Sequence, residues 1–90
     1  MPEVKTAILR HRRWKVEDIK RLPLKKEEDL GLCVYEYRIL FVPKEGDTEL
    51  DLDTLVHESL HACTELDETA VDETATSIAR LLWRLGWRKT

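Results

Sequence analysis

With 90 residues, the chain has room for one small domain and one core, and domains of this size are often supplemented by a bound metal or a partner chain. Hydrophobic residues at 42% and charged residues at 37% are the balance of an ordinary globular chain, and two cysteines cannot make a disulfide framework. No uninterrupted apolar run approaches the ~20 residues that a bilayer requires, and the first ten residues carry charges where a signal peptide would be apolar, so the expectation is a cytoplasmic protein with no membrane role.

Taken in chain order, the first half reads as β-structure. Val4 to Arg10 is a weak strand or arm, and Trp14, Val16 and Ile19 suggest a second strand ending before Leu22-Pro23. Lys25 to Asp29 forms a charged connection. Gly31 to Pro43 is the strongest β signal, rich in β-branched and aromatic residues. It divides into two short strands, Leu32–Tyr35 and Arg38–Val42, or makes one bent strand. Pro43 and the run Lys44 to Asp47 supply turn chemistry.

The second half reads as two helices. Asp51 or Asp53 is the expected N-cap of the first, where Leu52, Val56, Leu60 and Cys63 recur at helical spacing. Thr64 to Asp67 is a break, with Asp67 capping the second helix. Val71, Ala75, Ile78, Leu82 and Leu85 give that helix its apolar stripe, and Gly86 is its stop. The fold class is therefore α+β: a small sheet followed by a helix and a second, antiparallel helix, in a single domain over residues 1–90.

Charge is unevenly spread. The net charge of -3 conceals a stretch from Glu45 to Ala79 with no lysine or arginine and eleven acids. Such a half can pair with the basic residues elsewhere or surround a cation.

Inside that acidic stretch lies His57-Glu58-Ser59-Leu60-His61, an H-E-x-x-H motif on a predicted helix. Histidines four apart sit one turn above each other, ~6 Å along the axis, so two imidazoles can converge on one metal ion. Glu58 follows the first histidine, is rotated away from it, and stays beside the same open site. Zinc brings the pKa of a coordinated water toward ~7, and a carboxylate that takes its proton completes a nucleophile for a peptide carbonyl. Catalytic zinc usually has three protein ligands. Glu68, Asp72 and Glu73 on the second helix are the candidates for the third. Helix geometry favours Asp72, because an antiparallel partner turning at residues 64–66 brings residues 71–74 level with the histidines. Residue type favours Glu68, because Glu68 to Asp72 repeats the E-x-x-x-D arrangement on which the resemblance given next rests.

On these motifs the chain resembles a minimal zincin of the gluzincin type. In that clan a helix with H-E-x-x-H is followed by a helix bearing a glutamate ligand and, four residues on, an aspartate that supports a histidine. The resemblance implies His57, His61 and Glu68 as zinc ligands, Glu58 as general base and Asp72 as orienter. The interval from His61 to Glu68 is much shorter than in thermolysin-like enzymes. The wider layout, with Gly31 to Cys33, Arg38 to Val42, Leu52 to Glu58 and the ending Ala79 to Trp87, is similar to small H-E-x-x-H proteins of bacteriophages and bacteria. It is more distantly similar to the SprT-like and ImmA/IrrE groups. In zincins a strand beside the active-site helix binds extended substrate through its backbone, which implies Arg38–Val42 here.

The expected function is zinc-dependent hydrolysis of a peptide or protein substrate. The competing class is a module that keeps zinc to hold its fold or grip a partner, without turnover. Other features carry less. The run Arg10 to Lys15 suits nucleic acid, with Trp14 stacking on a base, but the overall acidic balance argues against that partner. Cys33 and Cys63 read as buried free thiols. A closed zinc site of Cys33, His57, His61 and Cys63 is disfavoured, because Cys63 points to a different helix face from His61. Trp83 and Trp87 cover a core edge or, if exposed together, mark a protein contact.

Overall fold

The computed structural model describes residues 3–22 and 30–88. The connection expected at Lys25–Asp29 lies outside the described residues. Four strands, β1 (Thr6–Leu9), β2 (Arg12–Asp18), β3 (Leu32–Val34) and β4 (Ile39–Val42), precede two helices, α1 (Glu49–Cys63) and α2 (Glu68–Arg84). The class is α+β, as expected.

β1 and β2 form an antiparallel hairpin in which Ala7 faces Trp14 and Leu9 faces Arg12. Its two turn residues, Arg10 and His11, both have positive φ, 48° and 69°. That is the twist a two-residue hairpin turn demands, although glycine and asparagine adopt it at lower cost. The sheet order is β1-β2-β4-β3. β2 and β4 run parallel, with Lys15 beside Ile39 and Asp18 beside Val42, whereas β3 and β4 run antiparallel. A short helical turn, Tyr35–Tyr37, joins β3 to β4 and ends at Arg38, which takes the left-handed conformation. Gly31–Pro43 is therefore two strands, and the second starts at Ile39.

This order corrects the expectation that Arg38–Val42 offers its backbone to a substrate. β4 is an interior strand, hydrogen-bonded on both sides, and among the described residues the outer strands are β1 and β3.

Side chains alternate across the sheet, and the inward set of Trp14, Leu40 and Val42 meets Ala62 of α1. Leu9, Val16 and Cys33 pack around this cluster. Trp14 is 1% exposed, so it is core and has no face for stacking on a base.

α1 begins earlier than expected. Thr48 is the N-cap, and Asp51 occupies the third helical position, where its carboxylate reaches back to the Thr48 backbone N–H. This reciprocal capping box replaces a cap at Asp51 or Asp53, because it satisfies two free N–H groups rather than one. The expected row Leu52, Val56, Leu60 and Cys63 is only half-buried, and the deepest face of α1 is Thr54, Glu58 and Ala62. α2 starts where expected, with the Asp67 carboxylate accepting from Ala70 N–H at 2.8 Å. It stops at Gly86, φ 93°. There the N–H groups of Gly86 and Trp87 donate to the carbonyls of Trp83 and Leu82, the paired bonds of a Schellman end. Val71, Ala75 and Ala79 are buried, but Ile78 and Leu85 of the expected stripe are exposed. No helix among the described residues is long and apolar enough to cross a membrane.

Candidate metal centre

Residues four apart on α1 recur once per turn, so Thr54, Glu58 and Ala62 form one row against the sheet. His57 and His61 form a neighbouring row, half-buried, with ring centroids 4.8 Å apart and Nε2 atoms 3.2 Å apart.

α2 returns antiparallel beside this second row after the four residues Thr64 to Asp67. Three polar contacts step by one turn up one helix and down the other. Thr76 Oγ1 donates to Asp53 Oδ2 at 2.8 Å, Asp72 Oδ1 lies 3.1 Å from His57 Nδ1, and Glu68 Oε2 lies 2.9 Å from His61 Nε2. The other Glu68 oxygen, Oε1, lies 2.9 Å from His57 Nε2. One carboxylate thus spans the inner nitrogens of both histidines, and a second holds the outer nitrogen of one of them.

Both arguments about α2 therefore find a counterpart. Helix geometry brings Asp72 level with His57, while Glu68 is the acid that meets the two Nε2 atoms. Glu73 is exposed and belongs to neither group of metal-competent side chains. Cys33 and Cys63 are also outside both groups and are free, half-buried thiols rather than fully buried ones.

The proton inventory of this cluster decides what it can hold. If His57 Nδ1 donates to Asp72, the neutral ring has an unprotonated Nε2. That lone pair then faces a Glu68 oxygen and His61 Nε2 at 2.9 and 3.2 Å. Acceptors converging this closely require positive charge between them, supplied by protons or by a metal ion. The separations are close to the ~3.3 Å edge of a tetrahedron with zinc bond lengths of ~2.0–2.1 Å. The ligand atoms of His57, Glu58 and His61 lie within 4.8 Å of one another, as do those of His57, Glu68 and Asp72. The first of these groups is close enough to bind a metal ion.

Glu58 is 8% exposed. Burial pushes its carboxyl above the usual range, the nearby Glu68 charge adds to the rise, and His57 and His61 oppose it. A carboxyl at this position is a better proton acceptor than an exposed one.

The site opens into a pocket of about 440 Å³, whose other wall is Gly31, Leu32, Cys33 and Tyr35. Gly31 is required there by close approach. A Cβ on it would lie 2.7 Å from Thr54 Cγ2, 3.0 Å from Glu58 Cγ and 3.1 Å from the Phe41 carbonyl oxygen. Tyr35 also stacks edge-on against Trp14, with centroids 5.6 Å apart. Neither Leu32 nor Tyr35 stands out in the sequence as a site residue, because each reaches the histidines only through the pairing of β3 with β4.

No family model, no curated protein and no solved structure matches this chain. The functional reading therefore rests on the site itself.

Proposed function

We propose that the chain is a zinc-dependent peptidase of the gluzincin type, with His57, His61 and Glu68 as ligands, Asp72 as the residue that orients His57, and Glu58 as general base. The observation that carries this reading is the relay Asp72–His57–Glu68–His61 with the buried Glu58 beside it. A metal-ligating histidine commonly gives its second ring nitrogen to a carboxylate, which fixes the tautomer and raises ligand basicity.

His57, His61 and Glu68 would hold the zinc, which would supply a Lewis acid to polarise a scissile carbonyl and to acidify water near neutral pH. Glu58 takes the proton of the attacking water and returns it to the amine leaving group. Its burial among Thr54, Gly31 and the sheet limits the positions its carboxylate can adopt. β3, an outer strand among the described residues, runs along the pocket wall, so an extended substrate can add to it as a further strand, with its backbone amides paired and its scissile bond over the histidines. Leu32 and Tyr35 then meet the substrate side chains.

A second reading has one observation in its favour. Glu68 and Asp72 of α2 contact the histidines of α1, so an ion held by residues of both helices would staple the helical hairpin of a small domain even if nothing were hydrolysed.

Glu58→Gln separates the two. In a peptidase this variant keeps fold and zinc while cleavage of unfolded peptides falls by ~10²–10⁴-fold. Equal and negligible cleavage by wild type, variant and a chelated control, with zinc retained, would replace the peptidase with the stapled module.

A further inference from the structure

We infer that the chain forms a symmetric homodimer through the outer flank of α2, with the two α2 helices antiparallel. Ile78, Leu81 and Leu85 are 38%, 59% and 66% exposed, and their spacing of three and four residues aligns them as one apolar stripe. The buried row Val71, Ala75 and Ala79 runs between this stripe and the flank that carries Glu68 and Asp72. A partner on the stripe therefore leaves the pocket open.

The occupant follows from charge. Glu68 and Asp72 are turned to the histidines, and the charges left to the outer side of α2 are an acid in its first half, Glu73, and bases in its second half, Arg80 and Arg84. Laid antiparallel on a copy of itself, the helix sets each acidic half beside a basic half. Laid parallel, it sets like on like. Glu73 and Arg84 lie about three turns apart along the border of the stripe, and neither makes an ion pair within the chain among the described residues. A two-fold axis near Ile78 and Ala79 brings Glu73 to the partner's Arg84, and the same contact recurs on the other side of the axis.

The test is the solution mass of the full chain by sedimentation equilibrium, over concentrations from low micromolar to near millimolar, with far-ultraviolet circular dichroism to confirm that each variant is folded. Wild type should be in monomer–dimer equilibrium. Leu81→Glu, an exposed position, should leave a folded monomer. Arg84→Glu should weaken association about tenfold, because two like-charge contacts replace two attractive ones. The combined variant Glu73→Arg with Arg84→Glu should restore it. A wild type that is monomeric throughout overturns the proposal, as does a dimer indifferent to Leu81→Glu. Failure of the combined variant to recover affinity rules out the antiparallel arrangement. The outcome is independent of metal binding and of peptidase activity.

Discussion

Asp72 and His57 meet through Oδ1 and Nδ1 at 3.1 Å, on the side of the imidazole away from the ring nitrogen that faces His61. The aspartate is 64% exposed at its side chain while the histidine is 17% exposed, so the contact lies at the surface end of a half-buried ring. Its value is orientational. In the proposed site it would set which nitrogen carries the proton, and hence which one offers a lone pair to a cation.

Metal content is the first expected outcome of this geometry. Purified protein should hold about one zinc per chain, as a single three-ligand site predicts. Elemental analysis after dialysis should find it lost from His57→Ala and from His61→Ala. Full retention by both variants would remove the basis of the proposed function.

The two acids of α2 should separate by degree. Glu68→Ala deletes the carboxylate that spans both Nε2 atoms and should abolish tight binding. Asp72→Ala removes only the partner of Nδ1 and should cost ~10–100-fold in zinc affinity. Competition with a chromophoric chelator measures both. Identical losses would show that the two carboxylates do not divide the work in this way.

Gly31→Ala should be destabilising although it adds only a methyl group. The new carbon would collide with Thr54 and crowd Glu58 and the Phe41 carbonyl, forcing β3 away from α1. Overpacking of this kind costs about 1–3 kcal/mol, readable as a lower denaturation midpoint. Activity should fall by more than stability explains, because Glu58 is among the displaced groups.

Cys33 should be a slow thiol. Burial first, and the nearby Glu58 and Cys63 next, push its pKa up from 9.0 to about 11. Only the thiolate reacts with alkylating agents, so a raised value means less reactive species at any pH below it. In a Cys63→Ala background, where burial and Glu58 still raise the Cys33 pKa, iodoacetamide labelling should stay slow at neutral pH and climb only at alkaline pH. Labelling that keeps pace with a free cysteine in unfolded protein at every pH would contradict this.

What the sequence made legible was local. Asp67 and Gly86 bound α2 through contacts reaching only a few residues, and His57, Glu58 and His61 announce themselves through one helical turn. The cap of α1 is not legible in the sequence, because Asp51 is a good cap by type and only the reach of its carboxylate back to Thr48 shows it to be the third residue of a capping box. Strand order was hidden for a different reason. β4 is the most apolar strand, which fits an interior position as well as a binding edge, and its parallel pairing with β2 depends on contacts across more than twenty residues. Ile78 and Leu85 misled the stripe in the same manner. Periodicity records that a helix has an apolar side, but not how far its neighbour covers it.

The hairpin from Thr48 to Gly86 has a consequence for how such a protein can change. It is closed at its start by the capping box and at its end by the Schellman bonds, and it contains His57, Glu58, His61, Glu68 and Asp72. The pocket wall of Gly31, Leu32, Cys33 and Tyr35 comes from a separate stretch of chain. Under the proposed function, grip on the ion and choice of what is presented to it would be written in two non-overlapping segments. Mutations at Leu32 and Tyr35 would then retune selectivity without loosening the ion, and the helical cassette would stay constant while the strand beside it diversifies.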